Sequence, residues 1–178
     1  MNKTFEKQLI KAAAAGDDEE VRRLIPLADA KNNKALQGAL EIHSAACVEM
    51  LLPVSDLSDP SEMHGMLIWA VESLDTAIVK LLVGVCDPKF NNSYPLQLAV
   101  LRDYTTIADM LFPVSAPREA LERLQKTFPK GHNRGGVIED RIAKFQEQVE
   151  RFESEQQREV LNGKVNRESK PTKRKQKI

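Results

Sequence analysis

LIKAAAAGDDEEVRRLIP, residues 9–26, decides the fold, because the chain repeats its pattern three more times. With Leu9, Leu36, Leu67 and Leu96 as origins, the spacings are 27, 31 and 29 residues. Three positions on stand Ala12, Ala39, Ala70 and Ala99, and twelve on stand Val21, Val48, Val79 and Ala108. Fifteen on stand Leu24, Leu51, Leu82 and Leu111, followed by Ile25, Leu52, Val83 and Phe112. Next come Pro26, Pro53, Gly84 and Pro113, residues that end helices. Agreement at this many offsets marks an array of similar units.

Each unit reads as a helical hairpin. The Leu, the Ala three residues later and an apolar neighbour (Ala13, Leu40, Val71, Val100) share one face of a first helix, and the small Ala lets another helix come close. A turn follows at Gly16, His43, Leu74 and Asp103. Gly, His and Asp tolerate left-handed backbone better than most residues, whereas Leu74 does not fit that reading. A second helix carries the Val and the Leu pair inward. One hairpin cannot bury its apolar face alone, so the units are expected to stack.

These units resemble the ankyrin repeat family. YPLQLAV (residues 94–100) stands where the family has TPLHLAA, and AAAAGDDEEVRRLI (residues 12–25) where it has roughly AAxxGHxEIVKLLL. AIVKLLVGVCD (residues 77–87) is similar to the family's second-helix ending and following turn. The resemblance spans Phe5 to Pro117. It departs at the His of TPLH, replaced by Ile10, Gln37, Ile68 and Gln97, and at the Thr, which survives nowhere. The units are also shorter than the usual length of about 33 residues, which implies shortened fingers and little β-hairpin between helices. A generic helical-hairpin array is the competing reading. Tetratricopeptide repeats are disfavoured, because their Trp, Leu-Gly and Tyr positions are missing.

After the repeats, Ser115 and Pro117 start a helix with Leu121, Leu124 and Phe128 on one face. FPKGHNRGG (residues 128–136) breaks it. A longer helix runs from about Val137 to Leu161, with Ile138, Ile142, Phe145, Val149 and Phe152 spaced by fours and threes. Stacked arrays need a terminal cap with a polar outer face, and this pair suits that role. The alternative is a short coiled-coil seam between two chains, although only two heptads support it. The expected organisation is all-α: an ankyrin-like helical-hairpin solenoid of about four repeats over residues 1–117, a capping helix pair over 118–162, and a disordered basic tail over 163–178.

The chain has 26 basic and 26 acidic residues, but from Gly163 to Ile178 there are seven bases and one acid. The tail is thus +6 and the body −6. Such an arm is read three ways: as a solubilising extension, as a contact to nucleic acid or an acidic partner, or as a nuclear-import signal in a eukaryotic cell. Its Lys170, Lys173, Arg174, Lys175 and Lys177 are not interleaved with aromatics, so nucleic acid would be held by its phosphates, through the tail alone. No apolar run reaches the roughly 18–20 residues of a membrane span, and no secretory signal or membrane association is expected. Cys47 and Cys86 are too few for a disulfide framework, which fits reduced thiols in a cytoplasmic protein.

Chemistry-bearing motifs are sparse. His43 and Cys47 fall on different parts of one hairpin, which fits a turn histidine and a core cysteine better than a metal site. No GxSxG or HExxH occurs. The GHNRGG loop, residues 131–136, is read as a connector, with an anion site as the alternative. No cofactor, metal or catalysis is expected.

The ankyrin resemblance implies recognition of another protein through the inter-unit fingers and the exposed face of the first helices. The candidate partner-binding residues are Met63, His64 and Met66 in the connector after the second unit, and Phe90, Asn91 and Tyr94 after the third. Glu41, Trp69, Glu72 and Arg102 join them on the first-helix surface. Trp, Tyr and Arg are the usual hot-spot types, and exposed Met suits adaptable contacts. Against this, Trp69 also fits packing between units, Tyr94 a turn and the Met residues ordinary filling. The expected function is that of a non-catalytic adaptor or inhibitor, monomeric in preference to a homodimer. The alternative is a nucleic-acid-associated protein whose repeats dock a protein while the tail holds phosphates.

Overall fold

The computed structural model describes residues 3–28, 31, 33–129 and 136–168, with side chains of the last helix described to residue 161. Among the described residues there are ten α-helices and no strand. They follow one another as hairpins: α1 (Lys3–Ala15) and α2 (Asp18–Leu24), α3 (Lys34–Glu41) and α4 (Ala45–Leu51), α5 (Pro60–Glu72) and α6 (Thr76–Val83), α7 (Phe90–Arg102) and α8 (Thr105–Leu111), α9 (Pro117–Thr127) and α10 (Val137–Glu168). No helix among them is long and apolar enough to cross a membrane.

The turn inside each of the first four hairpins is built the same way. Gly16, His43, Leu74 and Asp103 are left-handed, with φ of 70°, 58°, 59° and 63°. Their N–H groups donate to Ala13, Leu40, Val71 and Val100 at 2.9–3.2 Å. The N–H groups of Asp17, Ser44, Asp75 and Tyr104 donate to Ala12, Ala39, Ala70 and Ala99 at 2.8–3.1 Å. This paired closure satisfies carbonyls that a helix end leaves open. The next residue caps the second helix. Asp17 accepts from Glu20 N–H at 3.0 Å, Ser44 from Cys47 at 3.3 Å and Asp75 from Ile78 at 3.1 Å. Tyr104 has no side-chain cap. Leu74 therefore takes the conformation its side chain disfavours, because the same closure is imposed on all four units. A left-handed non-glycine residue costs roughly 1–2 kcal/mol.

The repeated apolar positions form the core. Leu9, Leu36, Leu67 and Leu96 are at most 1% exposed, as are Leu24, Leu51, Leu82 and Leu111. The four alanines of the repeat and Val21, Val48 and Val79 are buried beside them, with Ala108 half-buried. First helices pack in sequence, α1 on α3, α3 on α5, α5 on α7 and α7 on α9; second helices follow as α2 on α4, α4 on α6 and α6 on α8.

Three boundaries differ from those read in the sequence, one of them being that Phe90, Asn91 and Tyr94 lie within α7 and not in a connector. Met63, His64 and Met66 do not lie in a connector: α5 starts at Pro60, and all three are inside it and buried. The cause is local. Asp59 accepts from Ser61 and Glu62 N–H at 2.8 and 3.4 Å, and Pro60 occupies the first helical position, where its missing N–H costs nothing. At the other end, α10 runs to Glu168, past the expected tail start at Gly163. One glycine weakens a helix by about 1 kcal/mol, which does not suffice to end it.

Phe90 and Asn91 open α7 in an irregular turn, since Asn91, Asn92 and Ser93 are left-handed, with φ of 53°, 57° and 58°. Asn is among the residues that tolerate this region. Gln97 Nε2 donates to the Asn92 carbonyl at 2.7 Å, and buried Ser93 Oγ accepts from Ala116 N–H at 2.9 Å. The turn is thereby fastened to the next connector.

α10 covers α9 and α7 with the stripe expected of a cap. Ile142, Phe145 and Val149 are buried, and Phe112 of the fourth unit meets Phe145 and Phe152 edge-on at 5.9 and 5.2 Å. The Arg118–Glu153 ion pair and a bond from Gln125 Nε2 to Gln146 Oε1 at 3.1 Å lie at the margin. Arg141 donates to the Leu101 carbonyl. Ile142, Phe145 and Val149 of the stripe are thus covered within the chain, while Val160 and Leu161 further along α10 are 56% and 61% exposed.

Candidate functional site

The row of first helices is not evenly closed. Gly38 of α3 lies against α1 so tightly that a Cβ there would meet Ala14 Cβ at 3.3 Å. Gly65 of α5 is the opposite case: a Cβ there would meet nothing within 4 Å. It borders a groove between α3 and α5, lined by Gln37, Leu40 and Glu41 on one side and Glu62, Gly65, Met66 and Trp69 on the other. The spacing 62, 65, 66, 69 is a single helical stripe, so one face of α5 forms the whole wall.

Both ends of the groove carry side-chain contacts between neighbouring hairpins. At the connector end, Gln37 Nε2 and Asn33 Nδ2 donate to the two Glu62 carboxylate oxygens at 3.0 and 3.1 Å. Asn33, itself buried, also exchanges bonds with the Asp56 backbone, donating at 2.7 Å and accepting at 2.9 Å. At the turn end, the His43 ring packs on Trp69 with centroids 4.9 Å apart. His43 Nδ1 is 3.4 Å from the Asp75 carboxylate. One side of the Trp69 ring is therefore held from the preceding hairpin, and the half-buried indole lies on the groove wall with Met66 and Leu40.

The electrostatics are one-sided. From residue 35 to residue 79 the sequence has seven acids (Glu41, Glu49, Asp56, Asp59, Glu62, Glu72, Asp75) and neither Lys nor Arg. That stretch covers most of the second and third hairpins, which enclose the groove; their Lys and Arg residues are Lys34, at the first position of α3, and Lys80, on α6. Glu41 and Glu72 are exposed, while Glu62 is half-buried.

Three of the residues expected to bind a partner, Glu41, Met66 and Trp69, come together here, although Met66 contributes from a buried position. Glu72 and Arg102 are exposed near the ends of α5 and α7, away from the groove lining. Phe90 and Tyr94 are 38% and 39% exposed, and Asn91 is exposed. Phe90 meets His64 edge-on at 5.1 Å, on the flank of α5 that faces α7. His64 is buried, and neither ring nitrogen has a hydrogen-bond partner among the described residues. Desolvation pushes its pKa down, opposed by the Asp87 charge. Gln37, Leu40, Glu62 and Gly65 were not among the expected binding residues, Gln37 and Leu40 being read only as repeat positions. The helical stripe ending at Trp69 and the absence of bases around it were the signals available for them.

Other chemistry is scant. Cys47 is in the core, and burial pushes the Cys86 thiol up to about 11, which leaves it little thiolate at neutral pH. Among the described residues no group of three or more His, Cys, Asp and Glu side chains is placed to hold a metal. Lys170, Lys173, Arg174, Lys175 and Lys177, and the 131–135 part of the candidate anion loop, lie outside the described residues. No family model, curated protein or solved structure matches the chain.

Proposed function

We propose that this chain is a non-catalytic protein-binding module, an ankyrin-like solenoid of four short repeats closed by a fifth helical pair, which grips a partner over its first helices. The observation that carries this reading is the α3–α5 groove, an aromatic and aliphatic wall on a row of helices otherwise packed side by side. Trp and Met at the edge of a polar rim are the residue types that dominate binding surfaces. Covering a partner's surface suits an inhibitor, and bridging two proteins suits an adaptor; the groove serves either. Cross-linking mass spectrometry in the native cell tests the reading. A partner recovered with the wild-type chain should map its cross-links to α3 and α5, and Trp69→Ala should abolish its recovery while circular dichroism is unchanged. Recovery that is indifferent to Trp69 and Glu41 would place docking elsewhere.

The nucleic-acid reading rests on the +6 segment from Gly163 to Ile178. If that segment grips phosphates, duplex binding should weaken steeply with salt and vanish when it is removed.

A further inference from the structure

The groove that the proposed function identifies as a docking surface also carries a statement about what docks there. We infer that its occupant is a Lys/Arg-rich segment of a partner protein, lying along α3 and α5 with one cationic side chain against the Trp69 ring and its neighbours facing Glu41 and Glu62. This rests on the docking reading and goes beyond it by naming the partner's chemistry.

Three observations converge on it. The charged side chains lining the groove, Glu41 and Glu62, are both acidic. The sequence around them, residues 35–79, supplies seven acids and no Lys or Arg, with Lys34 at the start of α3 and Lys80 on α6 at its two edges, so a cation approaching this face meets a net negative local charge. A cation over an indole face within about 6 Å is attracted by the ring quadrupole, and Trp is the strongest aromatic partner. His43 and Asp75 hold the ring in place beforehand, so ordering it costs the complex little. Gly65 completes the arrangement. A helix-interior glycine whose Cβ would touch nothing has no packing role within the chain, and it leaves the α5 backbone open to close approach by another chain.

The chain's own basic stretch, Lys170 to Lys177, carries the same charge; if it occupied the groove in cis, deletion of residues 169–178 would change Trp69 emission without added peptide, against the inference.

Trp69 is the single tryptophan, so its emission reports on the groove directly. The probe is a synthetic peptide of three Arg-Lys-Gly units, with Gln-Gln-Gly and Glu-Glu-Gly peptides as controls, added to the full chain. The basic peptide is expected to change Trp69 emission saturably and the controls to leave it unchanged. Glu41→Lys should weaken binding about fivefold or more, whereas Glu49→Lys, the same charge change on α4, should weaken it less than about twofold. Gly65→Leu should weaken it about tenfold with Tm unchanged or raised. Loss through Glu49→Lys equal to that through Glu41→Lys, or no emission change with the basic peptide, overturns the inference. Equal binding of the Gln-Gln-Gly peptide also overturns it but leaves the groove a docking surface. A sedimentation mass that rises with concentration and falls on deletion of residues 169–178 makes a second copy's tail the occupant, again against the inference. The docking reading itself fails separately, if partner cross-links avoid α3 and α5.

Discussion

The α1–α3 and α3–α5 seams join the same kind of helix in the same row, yet one is closed and the other open. In the first, Gly38 removes a side chain where Ala14 presses in. In the second, Gly65 removes one where nothing does. A glycine in a helix costs about 0.5–1 kcal/mol relative to alanine. Close packing against Ala14 offsets that cost at Gly38, and nothing inside the chain offsets it at Gly65. On the docking reading, the difference separates a contact that holds neighbouring helices together from a surface that a partner covers.

Substitution at the two glycines should break the symmetry in opposite directions. Gly38→Leu is expected to destabilise the protein by about 1–3 kcal/mol, because a larger side chain must force α1 and α3 apart; urea unfolding would show a lowered midpoint. A midpoint unchanged by Gly38→Leu would mean that the closed seam is loose. Gly65→Ala should instead stabilise by roughly 0.5–1 kcal/mol, since it gains helix propensity without a clash. Destabilisation there would show that α5 packs more closely than the open groove allows.

The turn at the end of α5 sharpens the comparison further. Leu74 is 54% exposed and left-handed, so Leu74→Gly relieves strain while giving up little burial, for a gain of about 0.5 kcal/mol measurable as a small rise in Tm. Asp103→Gly at the equivalent turn should gain less, because Asp already tolerates this backbone.

The smallest effect is expected with pH. His64 lies on the flank of α5 opposite the groove, and burial holds its folded-state pKa below the ordinary value of 6.5. Between that ordinary value and the lower folded one, the unfolded chain binds a proton that the folded chain does not. Stability should therefore fall as pH drops below about 6.5, and the fall should level off once the folded histidine also titrates. His64→Leu should flatten this part of a Tm-versus-pH curve. An unchanged slope would mean that carboxylates alone set the acid sensitivity.

Much of the helical organisation could be read from residues 9–26 and their three echoes, because the Leu, Ala and Val offsets encode which faces are buried. The turn at offset seven was visible too, except at Leu74, whose side chain opposes the backbone that its neighbours impose. The start of α5 was misplaced, although Asp59-Pro60 is a helix-opening pair whose signal was present. The three left-handed residues Asn91 to Ser93 depend on bonds from Gln97 and to Ala116, partners that the local sequence does not indicate. The groove was legible only in part. Trp69 and Glu41 stood out by residue type, but periodicity says which side faces the core and not how near two helices come. That separation is set by small residues off the core stripe, such as Ala14 against Gly38.

Whether the α3–α5 seam is the docking surface is tested most directly by amide and indole chemical shifts of the isotope-labelled full chain titrated with the Arg-Lys-Gly peptide. Perturbations should concentrate at Gln37 to Glu41, at Glu62 to Trp69 and at the Trp69 indole N–H. Shifts centred instead on Phe90 to Tyr94, or spread evenly over the exposed acids of α2 and α10, would contradict it.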